Sequence, residues 1–166
     1  VLTVNVDKKS RTDEQITQLT KTNIDSLSLE ELLYAGNLTN DLNDKVMIYK
    51  AAEKNFGSDW RTSNNLGVAL LAQNKVSEAG EAFTRAEKTA NGNAIVMNHL
   101  GIIAAKAGNR VKAMEYYNKA SGAGAEVNYN KGILNVRDGK YADAVSNFGS
   151  NKDFNKALAA LLNGNA

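Results

Sequence analysis

The sequence predicts an all-α fold, a solenoid of antiparallel helix pairs preceded by a short extended segment. Three observations carry this expectation. Proline is absent from all 166 residues, which suits a chain that is helical almost throughout, because proline inside a helix removes a ladder hydrogen bond and clashes with the preceding turn. Leu66, Leu70, Val76 and Phe83 recur at helical rather than strand spacing. One set of residues also returns with a period in the thirties, the mark of stacked units that bury their apolar sides against their neighbours.

The repeating set is Gly67, Ala79, Phe83 and Ala86. A step of 34 residues brings Gly101, Ala113, Tyr117 and Ala120, again with a leucine, Leu100, before the glycine. A further 31 residues brings Gly132, Ala144 and Phe148, with Asn151 in place of the last alanine. One period earlier, Tyr49 and Ala52 match Phe83 and Ala86. Small residues at these positions let two helices approach closely, and the aromatic fills the space between one pair and the next. Asn74, Gly108 and Gly139 accept the left-handed conformation that ends a helix.

Caps and breakers place the helices. Ser28 and Glu31 form a capping box, so the first array helix is expected over 29–37 and its partner over 43–56. The following pairs are expected at 59–72 and 76–89, at 94–106 and 110–120, and at 126–138 and 141–148. A last helix over 153–162 has no partner before the chain stops. Its sequence leads into Asn163 and Gly164, as at the turn before a second helix, and the natural protein is expected to continue beyond Ala166. The chain also begins at Val1 rather than at methionine, as a processed or excised piece would.

The domain division expected is an N-terminal extension, 1–27, and a repeat array, 28–166. In the extension, residues 1–6 alternate as a short strand does. Thr12 and Gln15 then form a second capping box ahead of Ile16 and Leu19. Ile24, Leu27 and Leu29 are expected to dock this segment on the array.

A leucine and glycine, an alanine twelve residues after the glycine, an aromatic four later and an alanine three later again resemble the tetratricopeptide repeat signature, over roughly Leu29 to Ala166. The resemblance implies a right-handed α-α superhelix that binds a protein or peptide partner in its concave groove. Ser63 departs from the pattern, standing where the family often has tryptophan. No repeat ends in the usual proline, and the 31-residue step implies a shortened link at 122–124. In the family the groove is lined by the second, fifth, sixth, ninth and thirteenth positions of each repeat. By register these are Arg61, Asn64, Asn65 and Val68; Asn98, His99, Ile102 and Lys106; and Tyr129, Asn130, Ile133 and Arg137. Asparagine amides can pair with a peptide backbone, the three aliphatic residues make an apolar floor, and Lys106 and Arg137 offer points for acidic groups. The lysine-and-asparagine carboxylate clamp of chaperone-binding members is not reproduced, because Asn64 and Val68 replace the two residues it requires.

Composition narrows the chemistry. Twenty basic and 18 acidic residues, interspersed to a net charge of +2, form no basic stripe of the kind that nucleic acid needs. No apolar run approaches a membrane span. With no cysteine there is neither disulfide nor thiolate metal site. The lone histidine, His99, rules out any histidine pair. It reads either as a partly exposed polar residue or as a ligand contact sensitive to pH. Carboxylate pairs such as Glu30 and Glu31, Asp41 and Asp44, or Glu78 and Glu81 read as solvated faces and helix-dipole partners. No catalytic residue, cofactor or metal is expected, and the chain is not expected to be an enzyme.

Residues 26–45 (SLSLEELLYAGNLTNDLNDK), followed by Ile48, Tyr49, Lys50, Ala51 and Ala52, resemble the repeat region of Bacteroidetes envelope proteins of the outer-membrane protein A-like type. That resemblance implies a periplasmic or outer-membrane-associated location, with a cytoplasmic one as the alternative. It also implies peptidoglycan or outer-membrane association through other domains. The alternative to a peptide groove is a structural spacer or glycan-facing element between envelope domains.

Overall fold

The computed structural model describes residues 11–164, and the expected strand at 1–6 lies outside them. Among the described residues every regular element is helical. They are α1 (Asp13–Thr22), α2 (Leu29–Ala35), α3 (Leu42–Phe56), α4 (Trp60–Ala72), α5 (Val76–Ala90), α6 (Ala94–Lys106), α7 (Arg110–Lys119), α8 (Ala125–Arg137), α9 (Tyr141–Phe148) and α10 (Phe154–Leu162). A single 3-10 turn, Ile24–Ser26, joins α1 to α2.

The helices begin where side chains can satisfy free backbone N–H groups. Thr12 and Ser28 cap α1 and α2 in complete capping boxes. Asp41, Asp59, Asn93, Asn109 and Asp153 accept from first-turn amides of α3, α4, α6, α7 and α10. Each such cap stabilises its helix by about 1 kcal/mol. Within the pairs, Asn74 (φ 61°) and Gly108 (φ 79°) take the left-handed conformation at the turn. At the shortened link α7 ends at Lys119, and Gly124, at φ 141°, leads directly into α8. An L side chain resists that backbone angle.

Helix pairs α2/α3, α4/α5, α6/α7 and α8/α9 stack in order, and α10 packs on α9. The repeating glycine and aromatic prove to be one contact. A Cβ at Gly67 would lie 2.6 Å from the Phe83 ring, and one at Gly132 equally close to Phe148. Gly101 faces Tyr117 in the same way. Phe83, Tyr117 and Phe148 are buried, a burial that favours folding by roughly 1.5–3 kcal/mol each. In the first pair the register differs. Leu33 holds the position expected of glycine, but α2 is only seven residues long, and it is Gly36, just after it, that lies against Tyr49.

One core runs from Ile16 to Leu134, and a smaller cluster of Ala144, Phe148 and Ala159 closes the C-terminal end. The N-terminal segment therefore shares the array's core, with Ile16 and Leu27 buried in it. Its rim is tied by Arg11 to Glu31 at 2.7 Å and by the Tyr34 hydroxyl, which donates to Asp13 at 3.1 Å. Ser63 has a partner of its own. It is buried and donates to Glu53 of α3 at 2.5 Å, and the same carboxylate receives Arg85 of α5 at 2.9 Å. Three helices of two repeats thus meet where the family often packs one indole.

The stack curves. Helices α2 and α4 touch, as do α6 and α8, and His99 of α6 reaches Asn64 of α4 through its side chain, whereas the second helices of successive pairs make no comparable contact with each other. The first helices line the inner face, and the second helices splay outward.

Candidate functional site

The twelve residues expected to line a groove lie on α4, α6 and α8, and the structure uses them in different ways. Asn64 and Asn98 are each only 5% exposed, because their amides are spent between repeats. The His99 Nδ1 lies 2.8 Å from the Asn64 Oδ1, and the Asn130 amide donates to the Asn98 Oδ1 at 3.1 Å. In each case the fifth position of one repeat meets the sixth position of the next. Tyr129, the fifth position of the following repeat, continues the ladder by accepting from Asn155 of α10 at 2.7 Å. Its ring meets Phe148 edge-on, at 5.2 Å and 61°. A buried polar group that keeps its partner is compatible with a stable core, so this ladder fixes how one repeat sits on the next.

Arg61 is also engaged. Its guanidinium reaches Glu30 at 2.7 Å and Asp59 at 2.8 Å, and these bonds raise its already high pKa further. His99 stacks on Phe83 with ring centroids 4.7 Å apart. Burial pushes its pKa below the ordinary histidine value, with the Glu126 carboxylate opposing the shift. The Asn64 amide group donates to Asn65, which leaves its oxygen as the acceptor and assigns the proton to the Nδ1 of a neutral imidazole.

Val68, Ile102, Lys106, Ile133 and Arg137 have no side-chain partner of this kind among the described residues; with Asn65 and Asn130, each of which has one amide hydrogen bond already and keeps the other end of its amide, they gather at two equivalent hollows. One, of about 270 Å³, has Asn65 and Val68 on α4 facing Leu42, Lys45 and Tyr49 of α3. The other, of about 240 Å³, has Ile102 and Lys106 on α6 facing Asn130, Ile133 and Arg137 on α8, with Tyr117 behind. The corresponding place between α4 and α6 is filled by His99 against Phe83. Asn65 and Asn130 occupy the sixth position in the flanking repeats, so a single change, asparagine to histidine, separates an open hollow from a plugged one. Burial of the Tyr117 hydroxyl raises its pKa to about 12, partly countered by the Arg137 charge.

The contributions of Leu42, Lys45 and Tyr49 were not expected, since the register of the first helices says nothing of what the second helices add. The signal present in the sequence was Tyr49 itself, the counterpart of Phe83 and Tyr117. A larger hollow of about 890 Å³ lies on the outer side, floored by Leu100, Ile103 and Ala104 between α5 and α7.

Among the described residues no three histidine, cysteine, aspartate or glutamate side chains gather to hold a metal ion. No described helix is long and apolar enough to cross a membrane.

Residues 48–94 match the family model described as tetratricopeptide repeat. The chain also superposes on solved structures along nearly its whole length. MamA aligns with a TM-score of 0.68 at 18% identity, covering 93% of this chain and 90% of that one. A thermophilic tetratricopeptide repeat protein of Thermus thermophilus gives 0.70 at 17%, covering 90% and 88%. The fold is a tetratricopeptide repeat array. YrrB, described as a tetratricopeptide repeat protein with an unusual peptide-binding site, gives 0.66 at 18%, covering 93% and 86%. At these identities the likeness is one of fold. No curated protein sequence matches the chain.

Proposed function

We propose that the chain is a non-enzymatic scaffold that holds an extended peptide or a partner protein against the inner face of its tetratricopeptide array. The observation that carries this reading is the pair of open hollows at equivalent junctions, each combining aliphatic side chains, at least one asparagine amide and at least one lysine or arginine. A peptide needs those three things: a slot for a side chain, a partner for its backbone and a charge to set its register. The likeness to a solved array with a peptide-binding site supports the same reading.

Location in the cell envelope, as part of a larger protein, belongs to this proposal too. Its support is the sequence resemblance of residues 26–52. Fractionation of cells that express the natural protein checks it, and recovery in the cytoplasmic fraction would count against it.

The groove is tested by capture from an envelope extract. Asn64 and Asn98 are poor probes because they are buried, so Val68→Asp, on a residue 43% exposed, is combined with Ile133→Ser. Val111→Asp, on the outer side and 74% exposed, is the control. Loss of the captured partner with the groove variant and retention with the control is the expected result. Equal capture by both overturns groove binding. Capture of nothing by the unaltered chain favours a structural spacer.

A further inference from the structure

The two open hollows are not chemically equal, and the difference identifies a ligand class. The hollow between α6 and α8 has Lys106 on one wall and Arg137 on the other, and no carboxylate lines it. Neither cation has an ion-pair partner within 4.0 Å among the described residues. Asp138, beside Arg137 in sequence, is held by Arg110 at 2.5 Å.

The helix dipole is an incomplete reason for the two charges. Cations are favoured at a helix C-terminus by about 0.3–1 kcal/mol. But α4 has the same thirteen-residue length as α6 and α8, and it ends at the same register in Ala72. The array closes a helix there without a charge. Lys106 and Arg137 therefore add something the fold does not require, on either side of an apolar slot floored by Ile102 and Ile133.

The size of the slot is informative. A dry cavity of roughly 150 Å³ holds benzene, so about 240 Å³ accepts a leucine or phenylalanine side chain. The two cations stand one repeat apart on the two walls of the slot, Lys106 on α6 and Arg137 on α8. A cation on each wall of an apolar slot suits side-chain carboxylates on either side of a buried apolar residue.

Building on the groove reading above, we propose that this hollow is a subsite for an acidic peptide segment. An apolar side chain enters between Ile102 and Ile133, and flanking aspartate or glutamate carboxylates pair with Lys106 and Arg137. The His99 plug closes the next junction, so the ligand's following residues cross that stretch without an anchor.

The test uses a phage-displayed library of random twelve-residue peptides, selected on the full 166-residue chain. Selected sequences are then synthesised with amidated C-termini and titrated by fluorescence anisotropy. The expected peptides carry an apolar residue flanked by aspartate or glutamate. Their affinity falls about tenfold or more in Lys106→Ala/Arg137→Ala, as loss of charge-assisted bonds requires, and it weakens with added salt. In Lys106→Glu/Arg137→Glu the selection turns to lysine- and arginine-bearing peptides. All the substituted positions are exposed, and an unchanged melting temperature verifies that each variant is folded. Arg137→Gln, with a smaller loss in the same direction, serves should a double variant melt early. Peptides without acidic residues, lost with Val68→Asp but indifferent to Lys106→Ala/Arg137→Ala, overturn the subsite and leave the groove reading standing. Peptides that bind only with a free C-terminus overturn the choice of side-chain carboxylates. A library that yields no binder at all overturns the groove reading itself.

Discussion

The first half of the array spends its charges on itself, and the second half leaves them free. Of the six ion pairs among the described residues, five lie between Arg11 and Arg85, and only Arg110–Asp138 lies beyond. Arg61 bridges Glu30 and Asp59, and Glu53 gathers Ser63 and Arg85 from two neighbouring helices. Past Asn93 the repeats are joined instead by the ladder of Asn98 with Asn130 and of Tyr129 with Asn155. There Lys106 and Arg137 face solvent, and Phe154 is 76% exposed on α10. Two regions with the same helix-pair plan thus differ in what their polar groups are for. In the first they brace the stack, and in the second they are available to something else.

The largest expected effect breaks the first region at its centre. Phe83 is fully buried, lies against Gly67, and carries the stacked His99. Phe83→Ala is expected to destabilise the array by about 3–5 kcal/mol, seen as a lowered urea midpoint for the whole molecule. Phe148→Ala removes a comparable ring from the small terminal cluster. In an array each unit leans only on its neighbours, so its effect is expected as faster amide exchange confined to α8, α9 and α10. Uniform exchange acceleration in both variants would show that the two halves unfold as one unit.

How much of this was legible in the sequence depends on whether the cause is local. Helix ends were readable to within about two residues, because a cap such as Ser28 or a turn residue such as Asn74 acts on its own backbone. The pairing of Gly67 with Phe83 was readable because both belong to one repeat. The part played by Gly36 was not. It depends on α2 ending early, which shifts the close approach three residues past the register. The asparagines were the hardest. Asn64 on a helix face reads the same whether its amide points at a peptide or at His99, and only the placement of the next repeat decides. Ser63 looked like a lapse from the pattern because its partners, Glu53 and Arg85, come from two other helices.

A middle-sized effect sharpens the contrast in charge use. Glu53→Ala strands Arg85 and the buried Ser63 hydroxyl together, and breaking a charged, partly buried cluster costs about 1–3 kcal/mol. Arg110→Ala, the corresponding change in the second half, removes one pair whose arginine is half exposed and is expected to cost about 1 kcal/mol or less. Chemical denaturation of the two variants side by side measures the difference. Equal losses would mean that the first half is not braced by its charges after all.

The smallest effect is at the boundary between the regions, where His99 plugs the middle junction. Replacement by asparagine restores the residue type found at 65 and 130, and an amide there can still reach Asn64. What is lost is the stack on Phe83, worth about 0.5–1.5 kcal/mol at pH 7.5. The more telling signal is in the pH dependence. Burial holds the folded imidazole below its ordinary value of 6.5, with Glu126 only partly opposing. The unfolded chain therefore takes up a proton near that value while the folded chain still refuses it. By linkage, stability is fully present above the unfolded pKa, declines as the pH falls below it, and levels off once the folded pKa is passed. Because His99 is the only histidine, thermal melts between pH 7.5 and 5.5 isolate this one group. The unaltered chain is expected to melt lower toward the acid end, and His99→Asn is expected to give a flat profile over the same window. A variant that keeps the slope would remove His99 as its source and leave the plug a matter of packing alone.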